Sequence, residues 1–138
     1  MSKSYWLIGG SRDFTDKKKF AEVMHSKLAP SSLFRELVIV SGGCRGVDTM
    51  ASEFAKSHGI AMVEFLPDWK KYGRAAGPKR NDEMVAFMVD KKNLWNETNA
   101  LFFWDGESKG TKQCIASAKK AGLQVYIYNT KTGETEAQ

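Results

Sequence analysis

No apolar run in this chain approaches the roughly twenty consecutive residues that a membrane-spanning helix needs, so no membrane partner is expected. Cysteine is scarce. The two present, Cys44 and Cys114, show neither a CxxC pair nor zinc-ligand spacing, and read as reduced cytosolic thiols rather than a disulfide framework. The two histidines, His25 and His58, fall near the ends of helical patterns, where surface or capping roles are expected and metal ligation is not. The three prolines stand at element boundaries: Pro30 after a first helix, Pro67 after a third strand and Pro78 at the start of a third helix. There is no Walker lysine behind the main glycine turn and no dinucleotide fingerprint, because Gly43 and Gly46 lack a preceding glycine at the required spacing. No Ser-His-Asp or Cys-His arrangement stands out, and there is no internal repeat or low-complexity segment. Met1-Ser2-Lys3 leads directly into a short strand, so no signal peptide is expected and a cytoplasmic location is. No metal and no resident cofactor are expected.

What is present is enough for one globular domain with a substantial core in 138 residues. The net charge of +5 favours an anionic partner, either nucleotide or nucleic acid.

The chain is organised around Glu36 to Ala51. Leu37 to Val40 is an unbroken apolar run, as in a strand covered on both faces. Gly42, Gly43 and Gly46 follow, and then Val47, Met50, Ala51, Phe54 and Ala55 recur at helical spacing. A strand feeding a helix through glycines gathers backbone N–H groups and the positive helix end, which suits a phosphate. The same glycines also suit a tight turn with no ligand.

Read in order, Ser4 to Ile8 is a first strand. A helix capped by Thr15 or Asp16 runs to about Leu28, with Phe20, Val23, Met24 and Leu28 facing inward. The second helix ends at Gly59. Ile60 to Leu66 is a third strand, and Asp68 to Pro78 a long loop of lid-like composition. Pro78 opens a helix to about Val89, and Asn99 to Trp104 is a fourth strand. A helix after Thr111 runs to Ala121, Leu123 to Tyr128 is a fifth strand, and 129–138 is a polar, frayed tail. This alternation predicts a Rossmann-like three-layer αβα fold with a five-stranded, mainly parallel sheet. Ligands of such sheets bind beyond the strands' carboxyl ends, where all the flagged loops fall.

The candidate ligand-binding residues follow from that placement. Gly10, Ser11 and Arg12 follow the first strand, and Arg12 can fork onto a phosphate or carboxylate. Ser41, Gly42, Gly43 and Gly46 form the main phosphate turn. Asp48 either caps helix N–H groups or accepts from ribose hydroxyls. Trp69 offers a stacking face among Lys70, Lys71, Arg74, Lys79 and Arg80. Arg80 and Asn81 start the third helix, where Arg80 either faces the cleft or pairs with Asp82 or Glu83. Gly106, Gly110 and Thr111 make a second phosphate-type turn, with Thr111 also a possible N-cap, and Asp105 ends the fourth strand. Cys114, one turn into that helix, reads as core rather than nucleophile.

The blocks Gly9 to Thr15, Ser41 to Asp48, Pro67-Asp68-Trp69, Gly73 to Met84 and Gly106 to Thr111 together resemble the DUF2493 family, also called the YspA or cpYpsA-related SLOG family. The Gly-Arg-Ala-Ala-Gly-Pro-x-Arg-Asn run is the most distinctive. The superfamily includes the LOG phosphoribohydrolases and the DNA-uptake protein DprA. The resemblance implies a Rossmann-like fold whose glycine loops grip phosphate and ribose of a nucleotide-derived small molecule such as ADP-ribose. LOG-type chemistry implies N-glycosidic cleavage supported by an arginine, which Arg80 matches, and a glutamate, whose position Cys114 occupies. Asp48, Asp105 or Glu83 would then be the carboxylate beside Arg80 in a hydrolase. DprA implies nucleic-acid binding as a further alternative. Relatives of this kind also imply a homo-oligomer, and exposed Trp95 fits one.

Overall fold

The computed structural model describes residues 2–138. Six strands form one sheet in the order β3-β2-β1-β4-β5-β6. The strands are β1 (Lys3–Gly10), β2 (Glu36–Ser41), β3 (Ala61–Glu64), β4 (Glu97–Trp104), β5 (Gln124–Asn129) and β6 (Thr135–Ala137). All pair in parallel except β5 with β6. The helices are α1 (Lys17–Ser32), α2 (Val47–His58), α3 (Trp69–Tyr72), α4 (Ala76–Lys91) and α5 (Lys109–Lys120), with a 3-10 turn at Gly73–Ala75.

Strand alternation divides the core. Trp6, Ile8, Ile39, Leu101 and Phe103 point towards α1 and α2, where Phe20, Met24, Met50 and Phe54 are buried. Tyr5, Leu7, Val40, Phe102 and Val125 point the other way and meet Met84, Met88, Ile115 and Ala118 of α4 and α5. Helices on both faces explain why β1, β2 and β4 read as nearly continuous apolar runs. Phe103 anchors the α1 face, with its ring 4.7 Å from that of Phe20.

The sheet's centre matters for function. The chain leaves β1 towards β2 on one side, while β4 occupies β1's other side and continues to β5. The loops after β1 and β4 therefore diverge and leave a crevice between them.

Four expectations are corrected. The tail supplies a sixth strand: Asn129 Oδ1 accepts from the N–H groups of Lys131 and Thr132 (2.8 and 3.0 Å), turning the chain back so that Thr135 pairs with Tyr128. That pairing uses main-chain groups and needs no apolar side chain. The first helix continues past Leu28 through Pro30. Its end is held by the Ser31 hydroxyl, which donates to Glu97 at 2.6 Å. The stretch 68–78 is helical rather than a loop: Asp68 caps α3 by accepting from Lys71 N at 3.1 Å, and α4 begins at Ala76. Pro78 still sits in α4's first turn, where an N–H would have no intrahelical partner. The third strand is shorter than predicted, and the first and fourth are longer.

Candidate functional site

A cleft of about 360 Å³ opens at the carboxyl ends of β1 and β4, within the range of small-ligand sites. Gly10, Ser11, Arg12, Asp48, Trp69, Arg80, Asn81, Gly110 and Thr111 line it. These residues come from five separate segments of the chain.

The loop after β1 is pinned at both ends. Ser11 N donates to Phe103 O at 3.0 Å, and Ser11 O accepts from Val47 N at 3.4 Å. A Cβ on Gly10 would run into the Phe103 carbonyl and stand 2.8 Å from a Val47 methyl. Glycine therefore lets β1 leave the sheet between β4 and α2.

Of the β2–α2 turn and the helix start after it, Cys44, Arg45 and Asp48 line the cleft. Ser41, Gly42, Gly43 and Gly46 are not among the lining residues. Two N–H groups of the turn are engaged: Asp48 Oδ2 accepts from Cys44 N at 3.0 Å, and Ser11 O accepts from Val47 N at 3.4 Å. Each glycine has a packing reason instead. A Cβ on Gly42 would overlap the Arg80 guanidinium, one on Gly43 would meet Leu66, and one on Gly46 would meet the backbone of Ser11 and Arg12. The Ser41 hydroxyl is fully buried beside Asp48, whose charged form it favours, and makes no well-formed hydrogen bond among the described residues. Asp48 thus closes the glycine turn, with its second oxygen left for the cleft it lines.

Arg80 is the main electrostatic feature. It is only 8% exposed, yet it forms no ion pair among the described residues. Neutral acceptors hold it: Asn81 Oδ1 at 2.8 Å from Nε, Gly42 O on Nη1, and Cys44 Sγ at 3.6 Å. Pairing with Asp82 does not occur, because Asp82 accepts from Ser117 and Gln113 instead. Asn81 is oriented by Gln113 Oε1, which accepts from its Nδ2 at 2.8 Å. Sequence reading missed Gln113, because its role depends on the packing of α5 against α4.

Opposite Arg80, α5 presents its first turn. Its N-cap is Ser108, not Thr111, and it makes no side-chain capping bond. The N–H groups of Gly110 and Thr111 have no partner among the described residues, as expected of an uncapped helix start. A Cβ on Gly110 would meet nothing within 4 Å. Asp105, by contrast, lies outside the lining. Its carboxylate accepts from Glu107 N, Ser108 N and Ser108 Oγ at 2.8 to 3.0 Å, and these bonds hold its pKa below the ordinary carboxylate value. It shapes the loop. Gly106 turns the same loop at φ 84° and is likewise outside the lining.

Trp69, about half exposed, forms the cleft's outer wall. Gly77 lies under its ring edge, where a Cβ would be 3.5 Å away, and the Arg12 guanidinium sits 5.7 Å from the ring centroid. Arg74 stands on the neighbouring surface, outside the cleft. Arg45, which sequence reading did not assign, joins Arg12 and Arg80 in the lining. Its own partner, Asp13, is 3.9 Å away and both are well exposed. Burial pushes the Cys114 thiol up to about 12, so this thiol stays protonated and unreactive at neutral pH. Among the described residues, no group of three or more His, Cys, Asp or Glu side chains is placed to hold a metal ion, and no helix is long and apolar enough to cross a membrane.

Burial also raises the Asp48 carboxyl above its ordinary value of 3.8, against the opposing pull of Cys44 N–H and Arg80. The folded protein then holds this proton better than the unfolded chain. Stability therefore falls as pH rises from 3.8 through the folded pKa. Asp48→Asn keeps an acceptor for Cys44 and removes the buried charge. The variant is expected to be more stable than the parent at neutral pH, by on the order of 1 kcal/mol, with the gain vanishing in acid. Urea denaturation across pH measures this; a variant destabilised at neutral pH would refute it.

Comparison with known proteins adds two findings. Residues 7–72 match the family described as YspA, cpYpsA-related SLOG family. The chain is also 34% identical, over 130 residues, to the Gene 61 protein of Mycobacterium phage D29, spanning 91% of this chain and 96% of that protein. The family match takes in the loops after β1 and β2 and the Trp69 turn, and ends before α4.

Proposed function

The chain belongs to the YspA, cpYpsA-related SLOG family, and from that premise we infer that it binds a nucleotide-derived small molecule in the β1/β4 cleft. One observation carries this reading: Arg80 is buried in the cleft without an ion pair among the described residues, Asp48 acting on it only from beyond ion-pair distance, and it shares the lining with the uncapped start of α5. A buried guanidinium without a directly paired anion is unfavourable, and a phosphate supplied by the ligand reduces that cost. The phosphate lies between Arg80 and the N–H groups of Gly110 and Thr111, where the helix dipole adds to the attraction. Asp48 and Asn81 accept from and donate to ribose hydroxyls. The base stacks against Trp69, with Arg12 beside it.

Isothermal calorimetry against nucleoside monophosphates, cyclic nucleotides and ADP-ribose, in sulfate- and phosphate-free buffer, tests the proposal. Binding of at least one of them is expected. Absence of heat and of thermal stabilisation with all of them would overturn it.

The position of Asp48 supports a second reading. A buried carboxyl of raised pKa, lining the cleft beside Arg80, suits general acid–base work in N-glycosidic hydrolysis. Free base released from a bound monophosphate, and lost in Asp48→Asn, would favour turnover over simple binding.

Self-association is proposed at the opposite end of the sheet. Leu33, Phe34, Leu94 and Trp95 are 72–93% exposed there, and their loops are joined by Arg35 Nε donating to Trp95 O at 3.3 Å. An apolar patch of this kind suits an interface. Trp95→Asp should convert a dimer to a monomer in sedimentation velocity; a parent that already sediments as a monomer would reject the assignment.

A further inference from the structure

The cleft's rim carries positive charge that the preceding reading does not use. Lys70, Lys71, Arg74 and Lys79 are all exposed, and none forms an ion pair among the described residues. Two of them converge. The ammonium groups of Lys71 and Lys79 lie 5.1 and 4.8 Å from the centroid of one ring, that of Tyr72. Like charges gathered on one ring repel, and the attraction of the ring's face offsets this only in part. The nearest acid in sequence, Asp68, uses a carboxylate oxygen to cap α3. Two ammonium groups and a phenol hydroxyl, with no carboxylate paired to them, form a receptor for an oxyanion.

The position of this receptor narrows the ligand. Trp69 and Pro78 line the cleft, and the converging residues follow directly in sequence, at Lys71, Tyr72 and Lys79. The second anion site therefore lies just over the Trp69 wall from the first. A base stacked on Trp69 would separate the two.

We propose that the ligand carries two phosphate groups separated by a nucleoside unit, as in a dinucleotide, with one on Arg80 and α5 and the other on Lys71, Lys79 and Tyr72. The proposal rests on the cleft binding a nucleotide phosphate. The same chemistry is offered by a free dinucleotide and by the 5′ end of a single strand.

The test is calorimetry with the common nucleoside 5′-monophosphates, the matching 5′-phosphorylated homodinucleotides and a single strand of about 12 nucleotides. It uses the intact protein and Lys71→Ser/Lys79→Ser, whose substitutions are on the surface. A dinucleotide is expected to bind about tenfold tighter than its monophosphate, the contribution of one charge-assisted contact. The double variant should remove that gain and leave monophosphate affinity unchanged. Between about 50 and 200 mM salt, the dinucleotide should weaken more steeply than the monophosphate. A strand that binds more tightly than the dinucleotide, with the excess lost in the variant, supports the proposal with a strand end as source; equal affinities support it with a free dinucleotide. Monophosphate binding with no gain for any dinucleotide overturns this inference alone. Binding of none of the probes overturns the underlying reading as well.

Discussion

Arg80→Ala is expected to weaken binding of the cleft's nucleotide by a hundredfold or more, about 3 kcal/mol. The magnitude follows from where the guanidinium sits. It is buried in the cleft, its Nε and Nη1 are fixed by Asn81 and Gly42, and no carboxylate among the described residues lies within ion-pair distance of it. A phosphate that meets this group exchanges water for a fixed, partly desolvated cation, and hydrogen bonds to charged groups are the stronger ones. Removing it leaves the phosphate only the N–H groups of α5. Arg80→Lys is expected to rescue little, because a single ammonium cannot hold Asn81 Oδ1, the Gly42 carbonyl and a ligand oxygen in one plane. Fold stability should change far less than affinity, since the loss of bonds to Gly42 and Asn81 is offset by removing an unpaired buried charge. Calorimetry beside urea denaturation separates the two. Unchanged affinity in Arg80→Ala would place the ligand elsewhere.

That prediction concerns a residue legible in the sequence. Arg80 stands near the start of a helix that begins at Ala76 and carries Pro78 in its first turn, and a strand-end cleft was predictable from the βα alternation. The Rossmann-like layers follow from local pattern too. Val47, Met50, Ala51, Phe54 and Ala55, picked by spacing, are all buried, because an amphipathic helix on a sheet has only one way to hide its stripe. What was not legible is which helix start remains open. The β2–α2 turn has the richer glycine pattern, yet two of its N–H groups, those of Cys44 and Val47, are used by Asp48 and by Ser11 from another loop. The plainer α5 start has no such visitor. Whether a donor is free depends on contacts between segments distant in sequence, and no local pattern records them. Asp105 shows the converse. A carboxylate at a strand's end looks catalytic, but its oxygens fold back on Glu107 and Ser108 two and three residues on, a bond that Asp makes readily in turns. The edge strand β6 was hidden because its pairing is made by the backbone while its side chains remain exposed.

Gly46→Ala tests the role assigned here to the glycine turn, and it should destabilise the fold by about 3 kcal/mol, lowering Tm by about 10 °C. Two costs combine. Gly46 has φ 76°, a conformation that side chains rarely adopt, and a Cβ there would press on the carbonyls of Ser11 and Arg12. The second cost is specific, because those carbonyls belong to the β1 loop that lines the cleft. Gly59 provides a milder reference: at φ 64° and ψ 31° it lies in the left-handed helical region, whereas Gly46 at φ 76° and ψ −123° does not, and a Cβ on Gly59 would meet nothing within 4 Å. Gly59→Ala should therefore cost only about 1 kcal/mol, and the difference between the variants measures the contact between loops together with the harsher backbone of Gly46. If the β2–α2 turn were instead a phosphate cradle, Gly46→Ala would act mainly on affinity, with little loss of stability. If the turn is a spacer that lets α2 and the β1 loop approach, stability falls first. Affinity then follows, because pushing Ser11 and Arg12 outward moves them away from Trp69 and opens the wall on which the base would stack.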